Sequence, residues 1–128
     1  MPDSALHRVE VDPERKLIDV RLFGSISPED AGWIGEEVRA AIRALGDGVG
    51  DHVTLYDASA VQVLPVATIA LLQETFDNPA VRLLWARKVA FVVTTALARM
   101  QVQRIRRVRE DMGIFETRDA ALAWLTAD

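Results

Sequence analysis

Asp57 and Ser59, two positions apart in the run YDASAVQVLPVATIALLQ, are the polar side chains best spaced for chemistry in this chain. A carboxylate beside a hydroxyl begins a nucleophile-and-base arrangement, but hydrolysis also needs a group to orient the base and donors for a developing oxyanion. The sequence has no G-x-S-x-G turn, phosphate loop, dinucleotide fingerprint or metal-ligand spacing. Its two histidines, His7 and His52, stand far apart, and the absence of cysteine removes thiolate nucleophiles, thiolate metal sites and disulfides. We therefore expect no catalytic residue, no metal site and no cofactor.

The same stretch also has a plainer reading. Short polar side chains bond nearby backbone amides where a strand ends, and Pro65, with no amide proton, suits the start of a helix. Turn and cap chemistry is one reading of Asp57 and Ser59. A ligand or partner contact at the carboxyl end of the strands is the other, because open α/β sheets bind there.

Further candidates lie downstream. Thr94 and Thr95 fall between an apolar strand and a basic helix, where hydroxyls and free amides cap the helix or hold an anion. On that helix Arg99, Arg106 and Arg107 fall away from the apolar stripe, with Arg104 at its edge. These arginines form a solvated face or meet an acidic partner or an anionic headgroup. Trp33, between Gly32 and Gly35 and off its helix's core stripe, is expected at or near the surface, as an interaction residue or as edge packing. Trp85 and Trp124 read as core-edge residues. Val66, Ile69, Leu72, Phe76, Leu83 and Leu84 read as core, with the wall of an apolar pocket as the alternative.

The elements that position these residues follow from hydrophobic period and capping. ALHRVEVD and LIDVRLFG flank the turn PERK as an antiparallel hairpin. Ser27, Pro28, Glu29 and Asp30 open a helix with its stripe on Ile34, Val38, Ala41, Ile42 and Leu45, and Gly46, Gly48 and Gly50 close it. HVTLYDA is a third strand. Helices follow over 65–76 and 80–87, separated by the Asp77-Asn78-Pro79 turn. KVAFVVT, 88–94, reads as a strand buried on both faces. A helix over 96–112, with Leu97, Val102, Ile105, Val108 and Met112 on one side, leads past Gly113 to a short strand, 114–116. Thr117 caps a last helix with Ala121, Leu122 and Leu125 inward. The order β-β-α-β-α-α-β-α-β-α makes the last three strands parallel. A mixed α/β sheet flanked by helices is expected, as one domain over 1–128.

The chain carries 19 acidic and 15 basic residues, a net charge of −4, which disfavours general nucleic-acid binding. Its charge is uneven, with eight cations and no acid from Asn78 to Arg109. Neither a signal peptide nor a membrane span is expected, and a cytoplasmic setting is.

The run from Asp57 to Leu72 resembles the central motif of STAS domains, the fold of bacterial anti-anti-sigma factors, in which a D-x-S-x-V strand end leads to a D-S-S-G-L turn. Asp57, Ser59, Val61, Ile69 and Leu72 match, with Val63 and Leu64 in step. The ending from Lys88 to Leu125 is similar to the SpoIIAA-like subgroup, with its short I-F strand and D-A-A-L-A-W-L helix. The resemblance implies a protein-interaction or regulatory module switched by phosphorylation of the second serine of D-S-S-G. Here Val66 and Ala67 stand at the serine pair and Pro65 replaces the acid. Thr68 is one position on, which turns its side chain by about 100° on a helix. A STAS-like module without the usual acceptor is therefore expected, docking a protein partner or its own copy through the Asp57 loop (Asp57, Ser59, Thr68, Thr94, Thr95) and Trp33. The alternative is carriage of a small apolar, lipid-like or anionic ligand, since the SpoIIAA-like subgroup resembles CRAL-TRIO folds in layout.

Overall fold

A computed structural model describes residues 7–61 and 64–127. The first strand, β1 (His7–Asp12), turns through Pro13 to Lys16 into β2 (Leu17–Gly24). Asp12 Oδ1 accepts from the amides of Glu14 and Arg15, and Lys16 takes the left-handed φ of 53° that brings the chain back. Helix α1 (Pro28–Arg43) follows, then a short 3₁₀ turn at Gly46–Gly48 and β3 (Val53–Val61). Next come α2 (Val66–Asp77), the single turn α3 (Pro79–Arg82), β4 (Lys88–Val92), α4 (Ala96–Arg106), β5 (Gly113–Phe115) and α5 (Arg118–Thr126).

The five strands lie in chain order, with β1 antiparallel to β2 and the remaining neighbours parallel. This is the mixed α/β sheet expected from the sequence. Side-chain alternation divides it between two helical layers. Ile18 and Val20 of β2, Ala58 of β3 and Val89 and Phe91 of β4 pack in one cluster with α1, α2 and α4. Leu17, Val53, Leu55, Ala90 and Val92 face the other way, onto Ala121 and Leu125 of α5. Ile18, Leu55, Ile105 and Leu125 are fully buried, each contributing about 1.5–3 kcal/mol relative to exposure.

Helix α1 begins as its sequence predicts. Ser27 Oγ accepts from the Asp30 amide at 3.1 Å while Asp30 Oδ2 accepts from the Ser27 amide at 3.4 Å, a reciprocal capping box. Ser27→Ala is expected to cost about 1 kcal/mol, read as a lower urea midpoint with an unchanged slope.

Several boundaries differ from the sequence expectation. Strand β3 runs on through Asp57 and Ser59 to Val61, because β2 continues beside it to Gly24. Pairing moves from Arg21↔Asp57 to Phe23↔Ala60, so β3 holds one extra residue and bulges there. Helix α4 ends at Arg106 rather than Met112, and the turn after it still delivers Met112 to the core. Leu97 is half exposed, because the buried stripe of α4 is Ala98, Gln101, Val102 and Ile105. Pro65 sits at the N-cap of α2, α3 stops at Arg82, and β5 starts one residue early at Gly113. Val63, in step with the STAS motif, lies outside the described residues, as do Ala5 and Leu6 of the expected hairpin.

Candidate functional site

Asp57 and Ser59 stand at the β3 bulge, on the sheet face that α5 covers. Asp57 Oδ1 accepts from the Ser59 amide at 3.0 Å and from the Ser59 hydroxyl at 2.6 Å. Its other oxygen accepts from Arg118 Nη1 at 2.8 Å. The same guanidinium donates to both oxygens of Asp19 on β2, at 3.3 and 2.7 Å. One arginine from the first turn of α5 thus bridges two carboxylates on adjacent strands. Burial alone would raise the pKa of Asp57, but the Ser59 hydroxyl and amide and the Arg118 guanidinium together hold it below the ordinary carboxylate value. A carboxylate held ionised this way is a poor proton acceptor. The arrangement is suited to fastening α5 and shaping the bulge.

Thr94 and Thr95 join this rim. Thr94 Oγ1 donates to the Ser59 carbonyl at 3.2 Å, and Thr95 Oγ1 accepts from the Ala98 amide at 3.0 Å as the N-cap of α4. Ser59, Thr94 and Thr95 are all exposed. Thr68 does not join them. It is fully buried, and its hydroxyl donates to the Ile26 carbonyl at 2.8 Å, so it offers nothing to a surface partner.

On α4, Arg104, Arg106 and Arg107 are exposed and Arg99 is partly so. Arg99 lies 3.8 Å from Glu116, and Arg106 Nε donates to the Glu110 carbonyl at 2.9 Å. Arg104 and Arg107 have no carboxylate within ion-pair distance among the described residues. Arg109, three positions beyond Arg106, is only 4% exposed. Trp33 is 47% exposed on α1, the surface position expected of it.

Helices α2 and α4 lie side by side. Gln101 accepts from the Leu64 amide at 3.0 Å and donates to the Leu64 carbonyl, and Gln73 of α2 donates to the Arg104 carbonyl at 2.8 Å. Leu97 and Met100, on the turn of α4 that carries Gln101, are 50% and 59% exposed, and Val66 on the first turn of α2 is 73% exposed. Ala67 and Ala70 are exposed on α2. At three- and four-residue spacing, Leu97, Met100, Arg104 and Arg107 share one face from α4 into its C-cap. Of the residues weighed for a pocket, Leu72, Phe76 and Leu84 line a cavity of about 290 Å³ beneath α1 and α2. Val66 and Leu83 are exposed, and Ile69 packs in the core.

Asp19, Arg118 and Gln101 were not singled out from the sequence. Arg118 did leave a signal: a cation in the first turn opposes the helix dipole, which suggests carboxylate partners elsewhere.

A five-stranded mixed sheet with α1, α2 and α4 on one face and α5 on the other is the SpoIIAA-like fold. The chain superposes, at 15% identity and a TM-score of 0.63, on an uncharacterised DUF3478-family protein with a SpoIIAA-like fold from Shewanella loihica PV-4, covering 93% of each chain. An anti-sigma factor antagonist from Mycobacterium paratuberculosis aligns at 15% identity and a TM-score of 0.57, over 99% of this chain and 100% of that one. The anti-sigma factor antagonist SpoIIAA in its unphosphorylated form aligns at 15% identity and a TM-score of 0.59, over 95% and 99%. No protein-family model matches the sequence, and no curated protein matches it. Among the described residues no helix is long and apolar enough to cross a membrane.

Proposed function

We propose that this chain is a non-catalytic regulatory module that docks a protein partner of the anti-sigma-factor class on the exposed starts of α2 and α4. The observation that carries this reading is the exposure of Val66, Leu97 and Met100, at 73%, 50% and 59%, on the neighbouring helices α2 and α4. Apolar side chains left in water at the edge of a core are what a docking surface needs. Arg104 and Arg107 flank the patch and favour an acidic partner. The fold likeness to two anti-sigma factor antagonists supports the partner class. Ser59, Thr94 and Thr95 extend the surface toward the strand ends, with Asp57 holding the bulge beneath them. Trp33 on α1 offers a second contact, to a partner or to another copy of the chain.

The STAS resemblance sets Val66 and Ala67 at the serine pair, and neither has a hydroxyl. The hydroxyl of Thr68, the next residue in the chain, is buried against Ile26. Docking on this surface is then constitutive, ungated by phosphate at those positions.

The test is direct binding of the purified chain to the anti-sigma factors of its own genome. Val66→Asp and Met100→Asp are each expected to weaken the cognate pair by about tenfold or more, while Arg15→Glu, in the distant hairpin turn, leaves it unchanged. Failure of every candidate to bind, or unaltered affinity in Val66→Asp, would overturn the reading. Sedimentation of the chain alone separates partner docking from self-association.

A further inference from the structure

The cavity between α1, α2 and the sheet has a wall chemistry that the docking surface does not use. Its apolar lining comes from Ile34 and Val38 of α1, Leu72 and Phe76 of α2, Leu84 and Phe91. Ordinary cores leave few voids larger than a water molecule. At about 290 Å³ the space is roughly twice the ~150 Å³ apolar cavity that accepts benzene, leaving room for about a dozen heavy atoms.

Two guanidinium groups reach this wall. Arg109 is 4% exposed. Its Nε donates to Asp111 at 3.0 Å and its Nη2 to the Ala86 carbonyl, while its Nη1 is buried with no partner among the described residues. Beneath it, 4.4 Å from the guanidinium carbon, is the ring of Trp85, whose buried indole N–H is likewise unpartnered. Unpaired buried donors are costly and rare, and of the four buried side-chain nitrogens without a partner among the described residues, these two line the cavity. Arg39, its side chain four-fifths buried, gives one Nη2–H to Glu36 at 2.7 Å. Its Nη1 lies over Gly35, only 3.1 Å from where a Cβ would be, so the missing side chain makes room for this cation on the wall.

Tyr56 stands on the same wall, stacked on Phe91 with ring centroids 5.0 Å apart. Burial pushes its pKa up to about 12, against the opposing pull of Arg39 and Arg109, so the phenol stays protonated as a donor with both cations near it. Glu36, its side chain 67% exposed, is the only acid among the lining residues. A second, more polar hollow of about 300 Å³ shares Glu36, Arg39, Thr75, Val81 and Leu84 with the first and adds Arg43. This neighbouring hollow bears two cations, Arg39 and Arg43, together with Glu36.

We propose that this cavity binds an amphipathic monocarboxylate of medium chain length, its alkyl chain among the α1 and α2 side chains and its carboxylate held by Arg39, Arg109 and the Tyr56 hydroxyl. This site is separate from the docking surface, which lies on the outer faces of α2 and α4.

The probe is decanoate, titrated into the full chain and followed by calorimetry, with decanol as the uncharged control. Saturable one-to-one binding is expected, about tenfold or more tighter for decanoate than for decanol, as charge-assisted hydrogen bonds require. Arg39→Gln should bring the two affinities together while decanol binding stays the same. Gly35→Leu, which fills the space beside Arg39, should abolish both, with a cooperative melt confirming that the variant folds. No saturable decanoate binding at about 1 mM would overturn the proposal, as would equal affinity for the two probes or an unchanged preference in Arg39→Gln.

Discussion

Arg118→Met is expected to destabilise the chain by about 3 kcal/mol. The variant leaves Asp57, with a 7% exposed side chain, and Asp19, with 14%, as adjacent carboxylates without their shared counter-ion. Breaking a buried pair from one side costs about 3–5 kcal/mol, and the 27% exposure of Arg118 places this case near the lower end. Part of the effect depends on pH. Because Asp57 has a lowered pKa in the folded chain, its pairing stabilises the fold above the unfolded value near 3.8 and is lost as pH falls through the lower, folded value. The gap between parent and Arg118→Met should therefore be full at neutral pH and narrow below about pH 4. Urea midpoints across that range check it. A gap that stays constant or widens in acid would mean that Arg118 acts through packing rather than charge.

Gln101→Leu should cost about 2–4 kcal/mol, with a wider reach than the position suggests. The Gln101 amide satisfies both the N–H and the carbonyl of Leu64, and both residues are buried. Leucine is close in volume but leaves two buried backbone groups unpaired, each costing about 1–3 kcal/mol. Those groups fix the entry to α2, so hydrogen exchange should rise first in the opening turn of that helix. Binding of a partner at Val66 should weaken as well.

Much of the architecture was legible because period and capping agree. Ser27 and Asp30 mark the start of α1, and the apolar run of β4 marks a strand covered on both faces. The errors have local causes. The stripe drawn through Leu97, Val102, Ile105, Val108 and Met112 fits one long helix, but the chain turns after Arg106 and still brings Met112 to the core, so period alone could not find the helix end. Asp57 and Ser59 resemble a strand terminus because short polar residues serve both ends and bulges, and only the register with β2 distinguishes them.

Contacts across the sheet were least readable. Arg118 meets Asp19 from 99 residues away and Asp57 from 61, and no spacing rule connects such positions. Within the arginine block, Arg106 and Arg109 look equivalent in sequence, yet one is exposed and the other is buried over the ring of Trp85. The pairing of Gly35 with Arg39 has helical spacing, but the space it opens depends on how α1 sits on the sheet.

The outer strands carry a consequence for how assemblies can grow. At one margin β1 exposes Arg8 and Glu10, with Asp12 half-buried at its end, and at the other β5 spans only three residues, Gly113–Phe115. Ionic side chains at one rim and too short a ladder at the other discourage a foreign strand from zipping on, the usual route to fibrils and swapped oligomers. Any complex this molecule enters should then leave its sheet five strands wide.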